Sequence, residues 1–391
     1  MRTQGSGGTV RIAMVGSFPL DPARIPGGVE AVIKNLLAPL AATPGLDLHL
    51  VTCVQGLDRP RSGEFRGARI HYLPGQTRLG HLTDHILEQR RIAAKLKEIG
   101  PDLVHAHGTG RYVAGSHRSG YPVVTTVHGI RYKEVVLFGG LKGKVRRVTT
   151  IRLERRLLAE SRHIFVIADY VARAIAPLTR ARLYPIANPV APEFFALPTS
   201  DESDTILSVA AVQPRKGLLH LVEALALVRK QRPTARVKII GKVLDREYAD
   251  RIGRRIRELG LQGAVEMLGF VSDEELQAAF TGCAVFALCS VEESSPVSIA
   301  EAMTLGKPVV ATAVGGVPDL VADGKSGYLV PFGDVEGIAS ALLRILDDPQ
   351  RRLSFSRAAR SRAEADFHPD AIAARTVAVY EEILAAGKGH A

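Results

Sequence analysis

Two glutamates, Glu293 and Glu301, stand with seven residues between them in the run Glu293-Ser-Ser-Pro-Val-Ser-Ile-Ala-Glu301. The first lies in a Ser-rich loop; the second opens an apolar-periodic stretch that reads as a helix start. A loop carboxylate and a helix-start carboxylate facing one pocket suit a ligand rich in hydroxyls, because an ionised carboxylate accepts several hydrogen bonds. Spacing alone fits equally well a solvated Glu293 and a Glu301 that only favours a helix N-terminus through the macrodipole. A second group lies upstream in Gln213-Pro-Arg-Lys-Gly217. Its adjacent cations, Arg215 and Lys216, precede a helix and suit a diphosphate: Arg offers paired hydrogen bonds and Lys a compact charge. Near the start, Pro26-Gly27-Gly28 separates an apolar strand from a helix, where glycines let backbone N–H groups approach an anion. On its own Gly27-Gly28 also reads as an ordinary tight turn. His128 closes the strand Val123–Val127, and a lone strand-end histidine is more often structural than functional. His105 and His107 end another strand and could face opposite sides; with no third ligand apparent they do not make a zinc site.

These residues need a scaffold, and alternating strand and helix signals supply one. Val10–Gly16 is an apolar strand, followed by a helix near Val29–Ala41 and strands at Leu48–Val54 and Ala68–Leu73. The helix His85–Ile99 stops at Gly100-Pro101. Strands follow at Leu103–His107, Pro122–His128 and His163–Ile167. After a hinge at Ala187–Pro192 the pattern restarts with Ile206–Ala210 and continues through Val335–Leu346. A tail helix, Ala371–Ala386, carries Ile372, Val377, Tyr380 and Ile383 at helical spacing. Repeated βα units imply parallel sheets covered by helices on both faces, with ligands at the C-terminal ends of the strands. The candidate residues of both halves fall at such ends. No G-x-G-x-x-G follows the first strand, which weighs against a dinucleotide dehydrogenase.

Downstream of Glu301-Ala302-Met303 come Gly306-Lys307-Pro308-Val309, then Gly315-Gly316 before a helix, then Gly327-Tyr-Leu-Val-Pro331. In this order and at these separations the chain resembles the retaining nucleotide-sugar glycosyltransferases of the GT-B fold, family 4 (glycosyl transferases group 1). The resemblance covers nearly the whole chain and is densest from Ile206 to Pro331. It implies an α/β chain of GT-B architecture: two doubly wound Rossmann-like domains facing across a cleft. Residues 1–190 would form the acceptor domain, 191–365 the donor domain, and a C-terminal helix, 366–391, would cross back onto the first.

The activity implied is transfer, with retention, from a UDP- or GDP-sugar to a lipid-linked, saccharide or phosphorylated acceptor in cell-envelope or exopolysaccharide biosynthesis. By the same resemblance Gly27 and Gly28 form the first-domain glycine loop, and His128 lines the cleft near the donor's phosphate and sugar. Arg215 and Lys216 meet the leaving diphosphate. Ser294, Ser295, Pro296 and Val297 belong to the donor site, Glu301 holds the ribose hydroxyls, and Glu293 faces the sugar and its oxocarbenium-like centre. A front-face mechanism is the family expectation, so Glu293 is not assigned as a covalent nucleophile. The chain departs from the family at Ala210 and Ala211, where Gly-Arg is usual, and Arg215 takes over that arginine's place. It also departs at Cys289, where Pro often precedes Ser290, and at Ala168, where Ser is frequent. With no D-x-D motif, neither a metal nor a cofactor is expected. Two other readings remain open: an epimerase or phosphorylase on the same fold, and a non-catalytic sugar-nucleotide or membrane-binding protein.

Composition agrees with a two-domain enzyme. The 391 residues are 46% hydrophobic, ample for two cores. No run of about 18 apolar residues exists to span a membrane. Val10–Gly16 reads as a strand, not a signal peptide. Three cysteines without paired spacing suit a reducing cytoplasm, and Cys289, beside the carboxylate loop, reads as a small buried thiol. The net charge of +11 points to acidic partners. Much of it lies in Lys142, Lys144, Arg146, Arg147, Arg152, Arg155, Arg156 and Arg162. The stretch 144–162 reads either as a basic amphipathic helix on an anionic membrane surface, at the inner face of the cell membrane, or as a solvated helix. Nucleic acid is not expected, since aromatic interleaving stops at Tyr132 and Phe138.

Overall fold

The computed structural model describes residues 9–25, 27–76, 85–134, 140–198 and 204–388, with backbone alone for 134 and 140–146. Pro26, Phe138 and the side chains of Lys142, Lys144 and Arg146 therefore lie outside the described residues. Two compact units make up the chain: Met1–Pro189 together with Pro369–Ala391, and Val190–His368.

In the first unit eight strands form one sheet: β1 (Val10–Val15), β2 (Leu46–Val54), β3 (Arg61–Phe65), β4 (Ala68–Pro74), β5 (Leu103–His107), β6 (Val123–Val127), β7 (His163–Val166) and β8 (Arg182–Pro185). Their order is β3-β4-β2-β1-β5-β6-β7-β8, parallel except where β3 meets β4. Ile12 of β1 pairs with Leu48 on one side and Leu103 on the other. Every residue of β5 is buried, as a parallel strand with helices over both faces requires. The helix Ile86–Ile99 ends where Gly100 turns left-handed at φ 63°, a conformation that glycine adopts without penalty. The strand order reverses between β1 and β5, so a crevice opens beyond their C-terminal ends. The C-terminal helix Pro369–Lys388 packs on the helix Gly28–Ala41, and its Tyr380 hydroxyl lies 2.6 Å from His105 Nδ1.

The second unit repeats the plan with six parallel strands: β9 (Thr205–Val209), β10 (Arg236–Ile240), β11 (Val265–Gly269), β12 (Val285–Leu288), β13 (Val309–Thr312) and β14 (Gly327–Val330). Their order is β11-β10-β9-β12-β13-β14, with the switch point between β9 and β12. The helices Leu218–Val228 and Val335–Leu346 pack together over this sheet, and their Leu221, Leu225, Ile338, Leu342 and Ile345 are fully buried. At about 25 cal/mol per Å² of apolar surface, each such side chain contributes roughly 1.5–3 kcal/mol to holding the strand ends in place. N-caps start the helices where the sequence turns polar. Ser272 and Glu275 form a capping box, and Asp334 accepts from the Gly337 amide.

Several elements differ from the sequence expectation. The edge strand β3 is nearly all exposed and carries no apolar alternation, so nothing marked it. The helix Pro349–Asp366 buries Phe355, Ala359 and Ala363; a stripe built mostly of alanine is a weak periodic signal. The helix read as starting at Glu301 begins at Val297, which places Glu301 in its second turn. A macrodipole role at the helix N-terminus therefore falls to residues other than Glu301.

Candidate functional site

In the second unit the loops after β9 and β12 meet at the switch point. Val291 N donates to Arg215 O at 2.8 Å, and Thr312 Oγ1 at the end of β13 donates to Ser290 O at 2.6 Å. Gly217 takes φ +59°, and a Cβ there would sit 1.9 Å from Cys289 O. Gly315 takes φ +54° and would place a Cβ 1.8 Å from Glu293 O, while Gly316 N donates to that same oxygen at 2.9 Å. Only glycine permits backbones to approach this closely. This explains why Lys216-Gly217 and Gly315-Gly316 bracket the carboxylate loop.

Glu293 is buried, and its Oε1 receives both Lys216 Nζ and Ser290 Oγ, the latter at 2.7 Å. Arg215 Nη1 lies 3.9 Å from Glu293 Oε2 and donates to Glu292 O at 2.8 Å. Arg215, Lys216 and Glu293, named from separate motifs, thus form one charged cluster. Ser294 is buried beside Glu293, and Ser295, Pro296 and Val297, half-buried, lead into the helix that carries Glu301. Burial pushes the Glu301 carboxyl up to about 7, with the charge of Asp273 adding to the shift. Ser290 and Asp273 were not singled out by sequence reasoning. A serine three residues before Glu293 was readable; Asp273, which starts a helix elsewhere in the chain, was not.

The remaining motif residues have structural duties. Lys307 is fully buried and its Nζ donates to Thr281 O at 2.9 Å. Ala210, where the family's Gly-Arg pair would begin, is crowded by Gly241, whose Cβ would lie 2.1 Å from Ala210 O. Cys289 is buried in the core, and burial pushes its thiol up to about 12, so it is no nucleophile.

In the first unit the switch point holds histidines. Gly16, just beyond β1, would put a Cβ 3.2 Å from His107 Cβ. His105 and His107 do not face opposite sides: their rings lie 4.2 Å apart. β5 ends where the regular strand gives way to Gly108 at φ 96°, and both rings stay on one face. His107 Nδ1 is 2.8 Å from His128 Nε2, and the His128 ring also hydrogen-bonds the Asn188 side chain. Burial lowers His128 to about 4, although Asn188 opposes the shift. Gly27 caps the helix Gly28–Ala41 with an extended backbone and no side-chain cap. Among the described residues no group of three His, Cys, Asp or Glu is placed to hold a metal ion.

The basic helix spans Gly140–Glu160. Arg147, Arg152, Arg155 and Arg156 are exposed along it, while Leu157, Leu158 and Glu154 are buried. The Glu154 carboxylate accepts from Thr109 Oγ1 at 2.9 Å and from the amides of Arg131 and Tyr132, anchoring the helix to the loops after β5 and β6.

Comparison with known proteins decides what this scaffold is. The family model for glycosyl transferases group 1 matches residues 191–362, and that for glycosyltransferase family 4 matches residues 26–194. The D-inositol 3-phosphate glycosyltransferase of Jonesia denitrificans is 30% identical over 91% of this chain and 91% of its own length. The chain belongs to glycosyltransferase family 4. The MMP alpha-(1->4)-mannosyltransferase of Mycolicibacterium hassiacum is 27% identical over 96% of this chain and 87% of its own. Among solved structures, Anabaena HepE in complex with UDP-glucose matches with a TM-score of 0.76 at 21% identity, covering 95% of this chain and 99% of that one. As a family 4 glycosyltransferase the protein has the GT-B fold, with two parallel-sheet α/β domains and a C-terminal helix. It is a glycosyltransferase.

Proposed function

We propose that this glycosyltransferase moves a sugar, with retention and without a metal, from a UDP- or GDP-sugar to a lipid-linked, saccharide or phosphorylated acceptor of the cell envelope or an exopolysaccharide. The observation that carries the reading is the cluster of Arg215, Lys216 and Glu293 at the β9–β12 switch point. A leaving diphosphate gains negative charge as the glycosidic bond breaks, and two adjacent cations would stabilise that charge. Arg215 stands in for the arginine missing at Ala211. The Glu293 carboxylate faces the positive character that develops on the anomeric carbon, and His128 and the Gly27-Gly28 amides serve the donor's phosphate and sugar. HepE binds UDP-glucose by its own description, which favours a uridine donor here. The test is mass spectrometry after incubation with labelled UDP- and GDP-sugars and with saccharide, lipid-linked and phosphorylated acceptors, in EDTA. Elongated acceptor plus free nucleotide is expected. An isomerised donor, or turnover that stops in EDTA, would overturn the reading.

Glu301 carries a prediction of its own. If the ribose diol donates two hydrogen bonds to it, only the ionised carboxylate binds well. A carboxyl raised to about 7 must then lose its proton on binding. Nucleotide affinity is therefore expected to rise with pH up to about 7 and to level off above it. Calorimetry in buffers of different ionisation enthalpy at pH 6 should show proton release, which Glu301→Gln abolishes. Glu301→Ala should lose about 1.5–3 kcal/mol of nucleotide binding. Affinity that is flat between pH 5.5 and 8 would remove the ribose contact.

The exposed arginines of the basic helix support association with an anionic membrane face, adding roughly 1 kcal/mol each near such a surface. No helix among the described residues is long and apolar enough to cross a membrane. Binding to anionic vesicles that weakens with salt is expected, and replacing Arg147, Arg152, Arg155 and Arg156 with Gln should abolish it while nucleotide binding persists. Indifference of the unaltered protein to such vesicles at low salt would leave a solvated helix and a water-soluble acceptor.

A further inference from the structure

The histidine pair at the end of β5 and β6 carries more than proximity. His107 is buried, its Nδ1 contacts His128 Nε2 at 2.8 Å, and its own Nε2 has no partner among the described residues. Two proton arrangements satisfy the contact. If His128 donates from Nε2, then His107 must carry its proton on Nε2, where a buried N–H would find nothing to bond. If His107 donates from Nδ1, its Nε2 is a bare lone pair. An orphaned buried N–H is the rarer and costlier of the two. The Asn188 side chain bonds the His128 ring in addition to His107. His105 does not compete for either proton, since its Nδ1 and Nε2 are taken by Tyr380 and by Thr126 at 2.6 Å each.

We propose that His107 is a positioning residue that donates Nδ1–H to His128 Nε2 and so holds His128 in the Nδ1–H tautomer with its ring fixed. In water the Nε2–H form is the commoner, so the pair is set against the default, and the hydrogen bond at one nitrogen dictates the proton at the other. The part His128 plays in transfer rests on the functional reading above; the His107–His128 geometry does not. An incoming donor then meets an imidazole whose orientation is already set.

The experiment is long-range proton–nitrogen NMR on the full chain with 15N-labelled histidine, assigned with single variants. His107 and His128 are both expected to show protonated Nδ1 and bare Nε2. His107→Asn keeps an amide donor close to the place of Nδ1, so His128 should retain its signature. His107→Leu removes the donor, and His128 should move toward the Nε2–H form. Turnover should fall about tenfold in His107→Leu and much less in His107→Asn, as loss of orientation requires. Protonated Nε2 on His128 in the unaltered protein, or a His128 signature unchanged by His107→Leu, overturns the proposal. If His107→Leu does not fold, the unaltered protein and His107→Asn still decide it. The expected spectra in a chain that transfers no sugar would sink the functional reading alone.

Discussion

Glu293→Gln should lower turnover by about 10²–10³-fold, the scale of removing one fixed electrostatic partner from a transition state. The substitution keeps the shape of the side chain and the bond from Ser290 Oγ, but removes the charge. Ground-state binding of the nucleotide does not use that charge, so the loss should fall on kcat and not on nucleotide affinity. The structure sharpens the sign. In the free protein Lys216 Nζ is engaged by Glu293 Oε1, so a diphosphate must compete with the carboxylate for the same ammonium. Glutamine releases it, and UDP or GDP affinity should hold or increase. Nucleotide-release kinetics together with calorimetry measure both quantities. Wild-type turnover would remove Glu293 from the mechanism; a collapse of nucleotide affinity would show that it acts on binding instead.

Lys216→Ala should damage both stability and binding. The Lys216 and Glu293 side chains are 13% and 8% exposed, and deleting the cation leaves a nearly buried carboxylate with only Ser290 and a more distant Arg215. Breaking such a pair costs about 3 kcal/mol, which in a domain of this size lowers Tm by roughly 6–12 °C. Adding Glu293→Gln should recover most of the loss, because the orphaned charge disappears with it. If the cation addresses the phosphates as proposed, affinity for a nucleoside diphosphate should drop far more than affinity for the nucleoside. Thermal melts of the two single variants and the double variant test the first claim. Equal losses for diphosphate and nucleoside would instead mean a deformed strand–helix turn.

Much of this was readable before any coordinates. Parallel strands are buried on both faces and so are largely apolar, and β1 and β5 were read as strands from short, mostly apolar stretches. The glycines at 217 and 315 were visible as motif members, though not their cause, which is the approach of one backbone to another within van der Waals contact. The sequence reading misjudged the helix start at Glu301, because Pro296 ends the loop earlier than the apolar pattern suggested. The salt bridge between Lys216 and Glu293 joins residues 77 apart, and no local signal reports such a pairing. The histidine network was missed for a related reason. His107 and His128 belong to neighbouring strands, and their contact depends on the register of β5 against β6.

The bond between His105 and Tyr380 has a consequence for how the molecule is made. The first unit includes the helix Pro369–Lys388, whereas the second, Val190–His368, is one unbroken stretch. A ribosome adding about 5–20 residues per second needs roughly 10–35 s to make the intervening stretch of roughly 180 residues. During that interval the half synthesised first waits with His105 Nδ1 lacking its Tyr380 partner and the helix Gly28–Ala41 uncovered. The half synthesised second can already close its core. Folding order should thus invert synthesis order, and the early half is the part a chaperone would need to guard. Nascent chains arrested near residue 368 should show a protease-resistant second unit and a digestible first one. The opposite pattern would mean that the first sheet closes without its last helix.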